Sequence, residues 1–329
     1  MAEVIPRFCR PQRSLVLLLR LAFQEDRTNP MNMIQHSSKL LALLITTFFS
    51  NGLIGSTQFD AESYHQIGAT DLARDNTEGA LAAYEKAIAL DATNPIYYND
   101  RGVIWIARKE FDRAISDFDK AIQLKPSYSG AYYNRGLTKS LNHNPTGAIA
   151  DLDQAIKQTP GDARFYYERG KAQISKGILR KALADFGKAI ELNSTESDYY
   201  CYRGIAREMS GNQGGAVADF DKSIELNPKN APPYHDRARI KYARGDRGGA
   251  LADFDKAIEL DPKMDAYYGN RGFLRQQLGD LAGAISDFTT GISLNPNSPI
   301  FYKLRSAARK ANGDFSGAEA DAKGAAQPR

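Results

Sequence analysis

Residues 95–128 read PIYYNDRGVIWIARKEFDRAISDFDKAIQLKPSY, and this segment contains one full period of a pattern that recurs along the chain. Its skeleton consists of Tyr98, Arg101, Gly102, Ala114, Phe118, Ala121 and Pro126. The skeleton returns every 34 residues, so that the place of Gly102 is taken in other periods by Gly68, Gly136, Gly170, Gly204, Ala238, Gly272 and Ser306. A fixed period of this size predicts an array of stacked supersecondary units rather than one globular core.

The residue types at fixed positions of this period resemble the tetratricopeptide repeat family. Most periods carry an aromatic residue at position 4, small residues at positions 8, 20 and 27, an aromatic residue at position 24 and proline at position 32. The resemblance runs over eight periods, from about Ala61 to the C-terminus. It implies an all-α fold, a right-handed α-solenoid of about eight helix-turn-helix repeats.

The predicted domain boundaries follow the period. A leader or signal segment covers residues 1–56, and the repeats cover residues 61–94, 95–128, 129–162, 163–196, 197–230, 231–264, 265–298 and 299–329, the last of which also serves as the C-terminal cap. In the second repeat we expect helix A over about Pro95–Arg108 and helix B over about Asp112–Leu124.

The turn between helices A and B is expected to need a residue with positive φ. Glycine adopts this conformation most easily, and it occupies position 15 at Gly177, Gly211, Gly245, Gly279 and Gly313. The third repeat has no glycine there, and we expect Asn144 to supply the positive φ instead.

Two short apolar runs precede the repeats, at Ser14–Phe23 and Leu40–Phe49. Neither reaches the roughly 20 apolar residues that span a bilayer. The second run follows Lys39 and precedes small residues, as in a secretory signal. We expect Met31–Ser56 to be a cleaved export signal and residues 1–30 an over-extended start, which makes the protein periplasmic or secreted. The alternative is an uncleaved N-terminal segment that anchors the chain to a membrane.

Composition argues against nucleic acid as a partner. The formal net charge is +4, but residues 1–56 hold six basic and three acidic residues, which leaves +1 for the repeats. A nucleic-acid-binding array would carry a strong basic stripe on its working part. The two cysteines, Cys9 and Cys201, are too few for a disulfide framework or a zinc site.

A ladder of opposite charges departs from the usual family pattern, which has an apolar residue at position 7. This chain has arginine there in seven repeats: Arg101, Arg135, Arg169, Arg203, Arg237, Arg271 and Arg305. Position 23 carries aspartate in the same repeats: Asp117, Asp151, Asp185, Asp219, Asp253, Asp287 and Asp321. The fixed phase predicts bidentate ion pairs between helices A and B. The alternative is that the arginines face a groove and hold anionic ligands.

The family resemblance also implies a concave surface lined by the A helices. Transferred to this chain, it assigns a partner-binding groove to Asn99, Val103, Tyr133, Leu137, Arg164, Tyr167, Lys171, Cys201, Ile205, His235, Arg239 and Phe273. We expect the aromatic and aliphatic members to anchor an extended peptide or a partner helix. The alternative is that these side chains only pack or solvate the concave face.

No catalytic motif accompanies the repeats. The histidines form no HxxxH or HExxH set, and no Gly-rich phosphate loop or GxSxG elbow occurs. Cys201 and His235 share position 5 of adjacent repeats and form one candidate nucleophile–base pair, without an orienting third group.

We therefore expect a non-catalytic scaffold for protein–protein interaction, without cofactor, metal or small-molecule substrate. The expected partner is a protein or peptide, and any membrane association would run only through the N-terminal segment. The alternative function is the interaction arm of an envelope enzyme or polysaccharide-processing assembly whose catalyst lies on another chain.

Overall fold

The computed structural model describes residues 59–326, which form sixteen α-helices and no strand. The helices are α1 (Ala61–Ala73), α2 (Thr77–Leu90), α3 (Pro95–Ala107), α4 (Phe111–Leu124), α5 (Ser129–Leu141), α6 (Pro145–Gln158), α7 (Ala163–Ser175), α8 (Leu179–Leu192), α9 (Ser197–Met209), α10 (Gln213–Leu226), α11 (Ala231–Ala243), α12 (Arg247–Leu260), α13 (Asp265–Gln277), α14 (Leu281–Leu294), α15 (Pro299–Ala311) and α16 (Phe315–Ala326). The predicted leader, residues 1–56, lies outside the described residues.

The chain divides between Gly161 and Asp162 into two units. The first contains α1–α6, which form repeats 1–3, and the second contains α7–α16, which form repeats 4–8. Within each unit the odd-numbered A helix packs on the B helix of its own repeat, and that B helix packs on the next A helix. These contacts confirm the predicted all-α solenoid of helix-turn-helix repeats.

A side-chain cap begins most B helices. The N-cap residue accepts a hydrogen bond of 2.8–3.1 Å from the N–H of a glycine three residues later, in the pairs Asn76–Gly79, Asn144–Gly147, Asn212–Gly215, Asp246–Gly249, Asp280–Gly283 and Asp314–Gly317. Such a cap stabilises a helix by about 1 kcal/mol. Helices α4 and α8 begin without it, because Glu110 and Ile178 occupy the N-cap position.

One residue with positive φ turns the chain between the two helices of a repeat. The five glycines predicted for this role have φ between +72° and +85°, which confirms the prediction. In the first three repeats the same position is held by non-glycine residues with φ between +57° and +62°, namely Asp75, Lys109 and His143. The prediction for Asn144 is wrong. Its φ is −112° because its side chain caps α6, and His143 turns the chain one residue earlier.

Helices A and B of a repeat approach each other at a small residue. A Cβ added to Gly102 would lie 2.6 Å from a ring carbon of Phe118, so only glycine fits beneath this ring without a shift. The side chains that form the core of this repeat are at most 8% exposed: Tyr98, Trp105, Ala114, Phe118 and Ala121. Helices α3 and α4 begin and end within one residue of their predicted bounds.

Candidate partner-binding surface

The arginine at position 7, counted from the first residue of a repeat, binds the aspartate at position 23 of the same repeat. Its Nε and Nη2 donate to the two carboxylate oxygens at 2.5–3.0 Å, in the pairs Arg101–Asp117, Arg135–Asp151, Arg169–Asp185, Arg203–Asp219, Arg237–Asp253, Arg271–Asp287 and Arg305–Asp321. The aspartates are at most 6% exposed. Each pair ties helix A to helix B with the bidentate geometry that makes ion pairs strong.

Several of these arginines also bind the B helix of the preceding repeat. Arg237 Nη1 donates to Asp221 at 2.6 Å and Arg271 Nη1 to Asp255 at 2.7 Å, each on the B helix of the preceding repeat. Each guanidinium further lies 5.5–5.9 Å from the centre of a tyrosine ring three residues earlier, as for Arg237 over Tyr234. The guanidiniums are thus occupied by the protein's own carboxylates and rings, rather than turned toward an anionic ligand.

A second cation joins the aspartate in most repeats. It comes from position 11, in the pairs Lys139–Asp151, Arg207–Asp219, Lys241–Asp253, Arg275–Asp287 and Arg309–Asp321, at 2.7–3.1 Å. In the second repeat the indole N–H of Trp105 donates to Asp117 at 3.0 Å instead. Hydrogen bonding to Asp117 raises the pKa of Arg101, and that to Asp253 raises the pKa of Arg237, so both guanidiniums remain charged.

Consecutive A helices are joined by polar contacts that sequence reasoning missed. The residue at position 5 meets the residue at position 6 of the next repeat: His65 Nε2 lies 2.7 Å from Asp100, Asn134 donates to Asn99 at 2.9 Å, and Asn270 Nδ2 lies 2.8 Å from His235 Nε2. A search of the sequence for paired polar residues 35 apart would have found all three.

These contacts correct the predicted groove. Six of its members are at most 9% exposed and belong to the packing between helices: Asn99, Val103, Tyr133, Leu137, Cys201 and Ile205. Cys201, 1% exposed, packs in one cluster with Phe186 and Ile205. Such residues offer a partner almost no surface. The other members keep some exposed surface: Arg164, Tyr167, Lys171, His235, Arg239 and Phe273.

A second contact between consecutive A helices joins position 12 of one repeat to position 9 of the next. Glu208 Oε1 lies 3.1 Å from Arg239 Nη2, and the ring of Tyr242 meets that of Phe273 edge-on, with 6.1 Å between centroids. Phe273 is 38% exposed, and Met209, beside Glu208, is 41% exposed. We call Glu208, Met209, Arg239, Tyr242 and Phe273 the Glu208–Phe273 patch. It lies on the A helices of repeats 5–7.

A smaller aromatic cluster lies on the A helices of repeats 4 and 5. The rings of Tyr167 and Tyr202 meet edge-on at 5.4 Å, and the Lys171 ammonium lies 4.9 Å and 5.5 Å from their centres. Lys171 also pairs with Glu168 at 2.9 Å. The predicted anchor Tyr167 is therefore engaged by its own neighbours, and burial raises its pKa well above the usual range.

The candidate pair Cys201 and His235 can be assessed from the burial and hydrogen bonds of the two side chains. Both ring nitrogens of His235 have partners, Asp236 at 3.1 Å and Asn270 at 2.8 Å, and Cys201 is buried. The candidate nucleophile–base pair thus lacks an accessible thiol. Between residues 59 and 326, no three His, Cys, Asp or Glu side chains converge as a metal site requires. None of the helices there combines the length and apolar character needed to cross a membrane.

A family model matches the repeat region of the chain. The tetratricopeptide repeat model matches residues 67–129, 133–197 and 235–299, which together make up more than half of the chain. The chain belongs to the tetratricopeptide repeat family. Proteins of this family are generally interaction modules without catalytic activity, and they bind peptides or proteins. No curated protein matches this tetratricopeptide repeat chain.

Solved structures share the fold of this tetratricopeptide array. A tetratricopeptide repeat protein from Parabacteroides merdae is 20% identical, with a TM-score of 0.61 over 75% of this chain and 98% of the other. Pseudomonas aeruginosa pilF is 17% identical, with a TM-score of 0.58 over 65% of this chain and 97% of its own. MamA is 27% identical, with a TM-score of 0.46 over 50% of this chain and 95% of its own.

Proposed function

We propose that this protein is a non-catalytic scaffold that binds a segment of another protein, as a peptide or a helix, against the A helices of its repeats. The Glu208–Phe273 patch carries the proposal. It leaves Met209 and Phe273 about two-fifths exposed beside the Glu208–Arg239 ion pair. Aromatic and apolar side chains next to charged ones, on a rigid surface, are the usual composition of protein-recognition sites.

The ion pairs behind the patch support this function by keeping its helices in place. Arg237 and Lys241 both bind Asp253, and Arg271 and Arg275 both bind Asp287. These contacts fix α11 and α13, the helices that present Arg239, Tyr242 and Phe273. A surface held in its binding conformation loses little conformational entropy when a partner docks.

Site-specific photocrosslinking in the native cell tests the proposal. A photoreactive residue in place of Met209 is expected to give a discrete adduct with one partner, which mass spectrometry identifies. The matched control replaces Glu225, whose side chain is 67% exposed on the B helix α10 of the same repeat. Equal adducts from Met209 and Glu225, or no adduct from Met209, would contradict a binding surface on the A helices.

We also propose that the protein is exported. The support is the apolar run Leu40–Phe49, which follows Lys39 and precedes the small residues Ser50, Gly52 and Gly55. N-terminal sequencing of the mature protein is expected to find a new end shortly after Gly55. A chain that still begins near Met1 would contradict the proposal.

A further inference from the structure

The charges around Arg239 do not balance. Its guanidinium is shared by two carboxylates, Glu208 at 3.1 Å and Asp236 at 3.5 Å. His235 also approaches Asp236, with Nδ1 at 3.1 Å from its carboxylate. When this imidazole is neutral, two negative charges face one positive charge. Burial raises the pKa of Glu208, as expected for a carboxylate that nearby cations only partly compensate. An added cation would complete this cluster, whereas an added carboxylate would meet two acids.

An apolar surface adjoins this acidic excess one repeat further along the array. Glu208 and Arg239 join repeats 5 and 6, and Tyr242 and Phe273 join repeats 6 and 7 in the same register. The exposed part of the Phe273 ring and of Met209 can each take an apolar side chain. The patch therefore presents two points of contact along the array. The acidic point is formed by Glu208 and Asp236, and the aromatic point, one repeat further on, is formed by Tyr242 and Phe273.

The distance between the two points restricts the shape of the partner. Packed helices lie about 8–10 Å apart, so one repeat advances the surface by about that distance. An extended chain in the polyproline II conformation rises about 3.1 Å per residue and has three residues per turn, so side chains three residues apart lie on the same face, about 9 Å from each other. A cation and an apolar side chain about three residues apart therefore match the two points.

We infer that the Glu208–Phe273 patch binds an extended peptide segment in which a lysine or arginine lies about three residues from an apolar side chain. The cation sits beside Glu208 and Asp236, on the side of these carboxylates that faces away from the Arg239 guanidinium they share, and the apolar side chain packs on Tyr242 and Phe273. This inference rests on the proposed function, and it names the chemistry of the partner.

Fluorescence anisotropy with defined peptides and the full chain tests the inference. The probe is a fluorescein-labelled 11-residue Gly–Ser peptide with a central arginine and a leucine three residues away on each side, which allows either chain direction. Its length is too short for a stable helix. The comparison peptide has glutamate in place of the arginine. We expect the arginine peptide to bind at least about tenfold more tightly, a difference of about 1.4 kcal/mol.

Matched variants assign the binding to the patch. Glu208→Lys and Phe273→Ala are each expected to weaken the arginine peptide about tenfold or more. Glu225→Lys on α10 makes the same charge change, and Phe315→Ala removes a ring that is 67% exposed on α16. Both controls are expected to stay within about twofold of the unaltered chain. Glu208→Gln removes the charge without reversing it, and circular dichroism checks that each variant is folded.

The possible results separate the inference from the proposed function. Absence of binding, equal binding of the glutamate peptide, or unchanged affinity of folded Glu208→Lys and Glu208→Gln would overturn the inference. If photocrosslinking from Met209 still captures one discrete partner, the proposed function stands and only the stated partner chemistry is wrong. If photocrosslinking also gives no adduct, both fail.

Discussion

A single arginine at position 7 can link three helices, as Arg237 does. Arg237 donates Nη2 to Asp253 on its own helix B and Nη1 to Asp221 on the preceding helix B, both at 2.6 Å. The two carboxylates differ in environment, because the Asp253 side chain is 8% exposed and that of Asp221 is 53% exposed. One arginine therefore offers a direct comparison of a buried and an exposed ion pair.

Removing the two partners of Arg237 should have unequal effects. Asp253→Ala leaves two largely buried cations, Arg237 and Lys241, without their carboxylate, and should lower the free energy of unfolding by about 3 kcal/mol. Asp221→Ala removes a solvent-exposed partner and should cost about 0.5 kcal/mol. Urea unfolding followed by circular dichroism measures both. Similar small losses for the two variants would show that the ladder contributes little to stability.

A histidine at position 5 makes the contact between the first two A helices sensitive to pH. Burial disfavours the charged imidazole of His65, but the hydrogen bond and charge of Asp100 at 2.7 Å, together with the charge of Glu62 at 3.9 Å, outweigh it and raise the pKa above 6.5. A raised pKa in the folded state stabilises the fold below about pH 6.5, and this stabilisation is lost as the pH rises through the folded value.

Titration of His65 should show this linkage. In NMR titrations its ring is expected to have a pKa above 6.5, and Asp100→Asn should lower it because the carboxylate is removed. The stability of the first two repeats should decrease between pH 5.5 and pH 8 in the unaltered chain and should depend less on pH in Asp100→Asn. Hydrogen exchange of α1 reports this local stability. A His65 pKa that Asp100→Asn leaves unchanged would contradict the assignment.

At the scale of the helix, the residues with positive φ are easier to predict from the sequence than the N-caps. The glycines at position 15 were predictable because few other residues adopt positive φ without cost. Asn144 was misassigned because asparagine serves both as a left-handed residue and as an N-cap, and only the position within the repeat separates the two roles. The regular N-cap three residues before a glycine identifies the start of helix B.

Removing one of these caps should weaken one helix without changing the fold. Asp246→Ala deletes the acceptor of the 2.8 Å hydrogen bond from Gly249 N–H at the start of α12, and should cost about 1 kcal/mol. Glu110→Ala is the matched control, because Glu110 holds the same position before α4 without making a side-chain cap. Its expected loss is below about 0.5 kcal/mol. Thermal melts compare the two, and equal losses would mean that the cap is not the cause.

At the scale of the whole molecule, the fold was more predictable than the binding surface. The fold follows from residues such as Gly102 and Phe118, whose contact lies within one repeat and recurs with the period. Exposure at positions 5 and 9 depends instead on contacts between repeats, and these change with the side chain present. Cys201 is buried and Phe273 is exposed, although both were assigned to one groove. The consensus of the repeat does not specify these contacts, which depend on the particular side chains at the contacting positions of consecutive repeats.

The second unit of the chain, residues 162–329, is expected to keep the binding site when it is produced without repeats 1–3. Repeats contact mainly their neighbours, so a fragment that retains both neighbours of a site should retain the site. Residues 162–329 include repeats 4–8 and the whole Glu208–Phe273 patch. This fragment is expected to be helical by circular dichroism and to bind the arginine peptide within about twofold of the full chain. Residues 231–329 lack Glu208 and Met209, and should remain helical but bind at least tenfold more weakly. A folded 162–329 fragment without affinity, compared with a full chain that binds the peptide, would contradict the assignment of the site to repeats 5–7.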